Sequence, residues 1–427
     1  MTSKLPSAKG FQSNVEKQAL HFSKVLFLSL FLSITLFPAS LQAQEKVKAG
    51  ISLTRISRLE NFVKEQIAAG QIPGAVTLVM RNGEVVQQGA YGLKNINEKT
   101  PAGTEDLFYI QSMTKPIISV AFMMLYEEGH FMLTDPVSKY LPGFKDLRVV
   151  RNLQDGIGGA SDPLQSEMTI AQLLSHSSGL THGLDRTPFD EQFMKGYFRQ
   201  PWTDIRSRAI TISSFPLLAQ PGTKWSYSAG PDVLSLLIEQ FSGMSTNDFL
   251  TERIFKPLGM ANTFYNVPKA DLPRIFQLHS AGEKGTMVLA ASQPKAEGVT
   301  LWSGVNGLFS TARDYATFCQ MLLNNGTLNG KRILSRKTIE LMTSNHVGGL
   351  FNRSGEGFGL GFAVVTDAAG TRLPGSNGLY YWGGANNTHF FVDPKEKLIA
   401  ILMTQESHFS WNWHDKLRQL VYQSVAD

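Results

Sequence analysis

Two hydrophobic periods divide this chain, and their placement is the tightest constraint on its fold. Strand-like runs gather towards both ends, and helical spacing fills the middle. On the N-terminal side, residues 54–69 set Ile56, Leu59, Val63 and Ile67 at helical intervals before Gly70 closes the helix. Ala75–Met80 and Glu84–Gly89 then flank Asn82-Gly83, two residues that tolerate the positive φ of a tight hairpin. On the C-terminal side Gly359–Thr366, Thr388–Asp393 and Leu398–Thr404 read as strands. Pro394–Lys397 turns between the last two, and residues 408–424 read as a closing helix. Between these ends, residues 114–129, 169–175, 230–243, 247–256, 311–324 and 336–343 favour helices. The pattern predicts an α/β (α+β) fold: an antiparallel sheet flanked by helices and built from both termini, with an all-helical insertion lobe. Functional sites tend to form where two such lobes meet.

The first 43 residues are read apart from that fold. Lys24 precedes Val25–Phe37, thirteen residues that are apolar except for two serines and a threonine, and Pro38 ends the run. Leu41-Gln42-Ala43 supplies a small residue before Gln44. A basic start, a short apolar core and a small residue at the cut predict a cleaved signal peptide over residues 1–43. A membrane span would need roughly 20 apolar residues, so no stable membrane anchor is expected. Residues 44–427 then form one catalytic unit, with no linker-like composition break. The single cysteine, Cys319, excludes an intrachain disulfide, and export without disulfides points to a bacterial periplasm or secretion. The leader's four lysines and one glutamate carry +3 of the net +5, and no Lys/Arg run with interleaved aromatics follows, which argues against a nucleic-acid partner. No paired Cys/His or His-Glu-x-x-His spacing suggests a metal, and no glycine pattern suggests a nucleotide cofactor.

The chemistry gathers in three places. Ser112-Met113-Thr114-Lys115 sets a hydroxyl and an amine three residues apart on one helical face, ahead of the apolar run ISVAFMMLYEEG. The positive end of the helix dipole favours a developing alkoxide there. The lysine serves as a base only where burial or nearby cations lower its pKa. Ser-x-x-Lys alone is weak, and Ser292-Gln293-Pro294-Lys295 also matches. That second copy carries a proline inside the tetrad and lacks an apolar helix behind it. The bland reading of Ser112 is an N-cap serine with an exposed lysine beside it. Next comes Trp225-Ser226-Tyr227-Ser228-Ala229-Gly230, whose phenol can shuttle a proton if positive neighbours lower its pKa. Last, Trp382-Gly383-Gly384-Ala385 permits close backbone approach and offers a following N–H as half of an oxyanion hole. Taken singly, Tyr227 reads equally as a core aromatic, and Gly383-Gly384 equally as a plain turn. His176 and His182 read as structural or loop-anchoring residues rather than a base.

Together with LLSHSSGL at 173–180, PGTKWSYS at 221–228, IFKPLGM at 254–260 and GLFSTARDYATF at 307–318, these motifs make residues from about 55 to 425 resemble the serine β-lactamase-related superfamily. That group includes class C β-lactamases, DD-peptidases and family VIII carboxylesterases. The resemblance implies a β-lactamase/transpeptidase-like fold. Ser112 would be the acylated nucleophile, Lys115 its base and Tyr227 the third catalytic residue, with the oxyanion hole at the backbone N–H groups of Ser112 and Ala385. Two departures bear on substrate, and they place Ala229, Trp382, Gly383 and Gly384 at substrate-binding positions. The family's Tyr-x-Asn ends here in Ala229, and its Lys-Thr-Gly stands as Trp382-Gly383-Gly384. An amide and a carboxylate-binding cation are thereby lost. Trp-Gly-Gly resembles the family VIII esterases, so hydrolysis of small-molecule carboxylic esters is expected. The alternatives are a DD-peptidase or β-lactamase acting on cell-wall-derived or lactam substrates, and a non-catalytic penicillin-binding-type sensor. No cofactor is expected, and the sequence sets no oligomeric state.

Overall fold

The computed structural model describes residues 46–427 together with Met1; the expected leader over residues 1–43 otherwise lies outside the described residues. Over Val47–Asp427 a short antiparallel pairing of Val47–Lys48 with Ile51–Ser52 leads into helix α1 (Leu53–Ala68), capped by the Ser52 hydroxyl, which accepts from the Arg55 N–H. Asn82 and Gly83, at φ 53° and 80°, form the expected tight turn between β1 (Gly74–Arg81) and β2 (Glu84–Asn95). β3 (Thr100–Pro101) extends that edge. The sheet is completed from the other end of the chain by β4 (Glu356–Phe358), β5 (Ala363–Val365), β6 (Tyr380–Gly384), β7 (Thr388–Asp393) and β8 (Leu398–Met403). The eight strands run antiparallel in the order β4-β5-β6-β7-β8-β1-β2-β3, so each half of the chain supplies one edge and β8 meets β1 inside the sheet. The fold expectation is met.

Helices cover both faces. Consecutive strand residues point to opposite sides. Phe390 packs on Tyr315 of helix Ala312–Leu323, whereas Phe391 packs on Tyr422 of helix Asn412–Tyr422. Every residue of β8 is fully buried, as a strand covered on both sides requires. The insertion holds α2 (Thr114–Glu127), α3 (Ile170–Leu174), α4 (Pro188–Phe193), α5 (Ile205–Thr211) and α6 (Gly230–Ser242). α7 (Ala312–Leu323) and α8 (Asn412–Tyr422) are the two sheet-covering helices just named. α2 is buried from Thr114 to Leu125, as a helix apolar on all sides should be.

Three segments differ from the sequence reading. Gly359–Thr366 is not one strand: Gly361 sits at φ 102°, where a Cβ would meet Ser119 Oγ at 2.3 Å, and the chain turns there between β4 and β5. Tyr380–Gly384 is a paired strand and not a plain turn. The closing helix begins only at Asn412. Ahead of it the Asn387 side chain holds the 408–410 segment in a loop, donating to His408 O and accepting from the Ser410 N–H.

Candidate active site

Ser112 lies in a single 3₁₀ turn, Gln111–Met113, that runs directly into α2. The turn is pinned from several elements. The Ile110 N–H donates to Leu308 O at 3.0 Å, Gln405 Nε2 donates to Tyr109 O at 3.1 Å, and Tyr315 of α7 donates from its hydroxyl to Met113 O at 3.0 Å. Gln111 takes φ 48°, a left-handed conformation that costs a side-chain-bearing residue energy and persists only where the surroundings impose it. The serine is thus delivered at the helix mouth, where unpaired backbone N–H groups converge. Pro116 falls in the first turn of α2, where its missing N–H removes no helix bond.

Lys115 reaches back from that turn. Its Nζ lies 3.1 Å from Ser112 Oγ and donates to Val305 O at 2.9 Å, and the residue is 1% exposed. Burial holds its pKa well below the ordinary lysine range; the Asp232 carboxylate opposes that shift and the Arg208 cation adds to it. Desolvation therefore outweighs the carboxylate, and the amine is biased towards the form that accepts a proton. Behind it, Asp232 at the start of α6 accepts from Ser303 Oγ at 2.6 Å and the Val305 N–H at 3.2 Å through Oδ1. Its Oδ2 accepts from the Tyr197 hydroxyl at 2.7 Å and lies 3.0 Å from Arg208 Nε. One buried carboxylate thus fixes the loop whose carbonyl holds Lys115. The sequence reading did not single it out, because its partners Tyr197, Arg208, Ser303 and Val305 lie far away in the chain and leave no local pattern.

Tyr227 is clamped on its ring. Lys115 Nζ sits 4.5 Å from the ring centroid, and His182 stacks on the ring at 5.1 Å and 11°. The phenol oxygen accepts from Trp382 Nε1 at 3.4 Å. Positive neighbours do not lower this phenol. Burial raises its pKa far above the usual range, and contacts with Ser112 and Trp382 offset only part of the rise. Tyr227 is accordingly a protonated hydrogen-bond donor. His176 behaves as the sequence suggested: its Nδ1 accepts from the Ser228 N–H at 3.2 Å and bonds the Ser228 hydroxyl at 2.9 Å, which anchors the strip carrying Tyr227.

These groups open onto a cavity of about 390 Å³ with Ser112 in its wall. Trp382, Gly383 and Ala385 line it from β6 and the turn after it, and Phe409 and Trp411 from the loop before α8. His182, Leu184, Trp225 and Tyr227 contribute from the insertion. The cavity thus forms where sheet and insertion meet, as the two-lobe reading predicts. Among the described lining residues only His182 can carry a positive charge, and burial, reinforced by Lys115, holds its pKa well below the usual imidazole value.

Two of the expected substrate-binding residues lie behind the wall. Ala229 is fully buried at the start of α6, its N–H donating to Thr181 O at 3.0 Å, so the strip turns inward right after Tyr227. Gly384 packs against the serine's own turn: a Cβ there would sit 2.3 Å from Ile110 O and 2.3 Å from Thr388 Oγ1. The close approach expected of the glycine pair is real, and it serves to bring β6 against residue 110. Gly383, Trp382 and Ala385 do face the cavity, and Ser112 and Ala385 both border it, as the expected oxyanion hole requires. Phe409, Trp411 and Leu184 were not anticipated. The aromatic-rich string Phe409-Ser410-Trp411-Asn412-Trp413 was the available signal, hidden by reading it as helix.

A family model described as Beta-lactamase matches residues 59–422. Protein Rv1367c of Mycobacterium tuberculosis is 31% identical over 359 residues, covering 80% of this chain and 88% of that protein. Esterase EstB of Burkholderia gladioli is 27% identical, covering 82% and 91%. Among solved structures, EstCE1, described as a hydrolase with promiscuous acyltransferase activity, superposes with a TM-score of 0.75 at 26% identity, covering 86% of this chain and 99% of its own.

Proposed function

This chain belongs to the β-lactamase family and is a serine hydrolase, and from that premise we propose that it hydrolyses neutral carboxylic esters through an acyl-enzyme on Ser112. The observation that carries the reading is a buried amine 3.1 Å from the serine, opening onto an aromatic cavity with no fixed positive charge among its described lining residues. In this mechanism Lys115 accepts the Ser112 proton as Oγ bonds to the ester carbonyl carbon. The carbonyl oxygen becomes an oxyanion facing the N–H groups of Ser112 and Ala385. On collapse the carbon–alkoxide bond breaks, and the alcohol leaves with a proton delivered through the Tyr227 hydroxyl, which Lys115 replenishes. Water then enters by the same route in reverse and releases the acid. EstB, an esterase by name, supports the substrate class.

A D-alanyl peptide or β-lactam carries a carboxylate, for which Trp382 offers no cation. Each missing charge-assisted contact is worth about 1.5–3 kcal/mol, or roughly one to two decades. With the family's amide absent as well, kcat/KM for p-nitrophenyl acetate or butyrate is expected to exceed that for a D-Ala-D-Ala peptide by at least about a hundredfold. Nitrocefin should turn over slowly. A fluorophosphonate probe should label the protein, and Ser112→Ala should abolish both labelling and turnover. Preference for peptide or lactam would overturn the ester assignment, and labelling that survives Ser112→Ala would overturn the nucleophile.

A further inference from the structure

His182 is the titratable ring of the cavity wall that the acyl-enzyme chemistry leaves unused. It lies between Phe198, at 4.5 Å and 24°, and Tyr227, at 5.1 Å and 11°. Two aromatic faces fix its plane, so only an edge of the ring is offered to a ligand. Its Nδ1 is buried with no partner among the described residues. A buried N–H without an acceptor is costly, so the favoured tautomer leaves Nδ1 bare and places the proton on Nε2. That tautomer gives the insertion side of the cavity a neutral N–H donor. Of the other polar groups there, Ser112 faces Lys115 and Trp382 Nε1 donates to the Tyr227 hydroxyl, while Trp225 Nε1 is without a partner among the described residues but buried out of reach of a ligand.

The position of the donor says which part of an ester it meets. Tyr227 returns the proton to the departing alkoxide, so the alcohol portion leaves along the Tyr227 side, where His182 is stacked. We propose that His182 is a specificity-determining residue whose Nε2–H binds a neutral acceptor oxygen (ether, carbonyl or hydroxyl) in the alcohol portion of the ester. The inference rests on the ester-hydrolase reading and deepens it. A donor on the wall beside the leaving alcohol disfavours a plain alkyl alcohol relative to one with an oxygen at the right reach, because an unmet donor is a cost that a matching acceptor removes.

The test is an isosteric pair, n-butyl butyrate and 2-methoxyethyl butyrate, in which one CH2 of the alcohol becomes an ether oxygen. Acid release is followed by pH-stat for wild type, His182→Phe and His182→Gln. The phenylalanine keeps the stack and removes the donor; the glutamine keeps a donor and gives up the stack. The readout is the ratio of kcat/KM, 2-methoxyethyl over butyl, which cancels general damage to the catalytic machinery. That ratio is expected to fall roughly three- to tenfold in His182→Phe, the range for one neutral hydrogen bond, and to stay within about twofold of wild type in His182→Gln. If the phenylalanine variant does not fold, the glutamine variant is set against His182→Leu. A wild type that cleaves both esters with a ratio indifferent to residue 182 overturns this inference alone. A wild type inert to both overturns it together with the ester-hydrolase reading.

Discussion

Asp232→Asn separates the electrostatics of the site from its architecture. The substitution keeps the side chain's shape and leaves an oxygen able to accept from Ser303 and the Val305 N–H, so the loop that holds Lys115 retains its bonds. It removes the charge facing Arg208, whose side chain is 6% exposed and whose Nε lies 3.0 Å from Oδ2. Stripping one partner from a buried ion pair costs about 3–5 kcal/mol. In a domain of this size 1 kcal/mol moves Tm by roughly 2 °C, so a drop of roughly 6–10 °C is expected.

The catalytic consequence has a definite sign. Asp232 raises the Lys115 pKa against the dominant effect of burial, and Arg208 lowers it. Removing the carboxylate leaves burial and the cation unopposed, so the lysine deprotonates at lower pH. The acid limb of kcat/KM, which reports the free enzyme's essential base, should therefore move to lower pH. The assay is kcat/KM for p-nitrophenyl butyrate across the pH range in which the variant stays folded, with Tm measured at each pH. An acid limb that moves up, or stays put while Tm falls as expected, would refute the assignment of that limb to Lys115.

Lys115→Met should abolish turnover yet melt above wild type near pH 7. The folded lysine has a lowered pKa, so wild-type stability rises with pH between that value and the unfolded value of 10.5, and the gap to the variant should narrow across that window in differential scanning fluorimetry. Gly384→Ala drives a Cβ to within 2.3 Å of Ile110 O, so kcat should fall about a hundredfold, as for a serine displaced by about 1 Å, with stability down by about 1–3 kcal/mol; a variant within threefold of wild-type kcat would show that β6 does not position the serine turn. Export is proposed on the apolar run before Ala43: expressed in a Gram-negative host, the protein should be recovered from the periplasm with a new N-terminus near Gln44 by mass spectrometry, and uncleaved protein in the membrane fraction would contradict it.

What was legible in the sequence is what local spacing encodes. The α1 and α2 patterns, the Asn82-Gly83 hairpin and strands β7 and β8 depend on neighbours a few residues away, and their bounds shift by only a residue or two, except that β2 runs on past the expected Gly89 to Asn95. The Ser112–Lys115 pair was legible for the same reason. Strand β6 was obscured because Gly383 and Gly384 carry no side chain to show a period, and their purpose is set by Ile110, over 270 residues upstream. Ala229 was placed at the substrate because it aligns with a family motif, yet the N–H bond to Thr181 turns it inward. Phe409 and Trp411 enter the wall only because Asn387 holds their loop, a contact that no local pattern announces.

The replacement of a cation by Trp382 is more than a loss. Its indole forms part of the cavity wall, packs against Trp411 at 5.5 Å, and gives its N–H to the Tyr227 hydroxyl. One side chain therefore lines the cavity and hydrogen-bonds the phenol that the proposed mechanism uses to protonate the leaving group. A lysine in its stead would put a charge near Lys115, the very amine that burial is depressing, and would need a substrate carboxylate to balance it. With tryptophan, burial biases the Lys115 amine towards its neutral form, and burial likewise keeps the phenol protonated. Each of these groups works without a counter-charge from the substrate. An apolar wall and a desolvated base thus favour the same ligand: a neutral acyl donor that brings in no charge of its own.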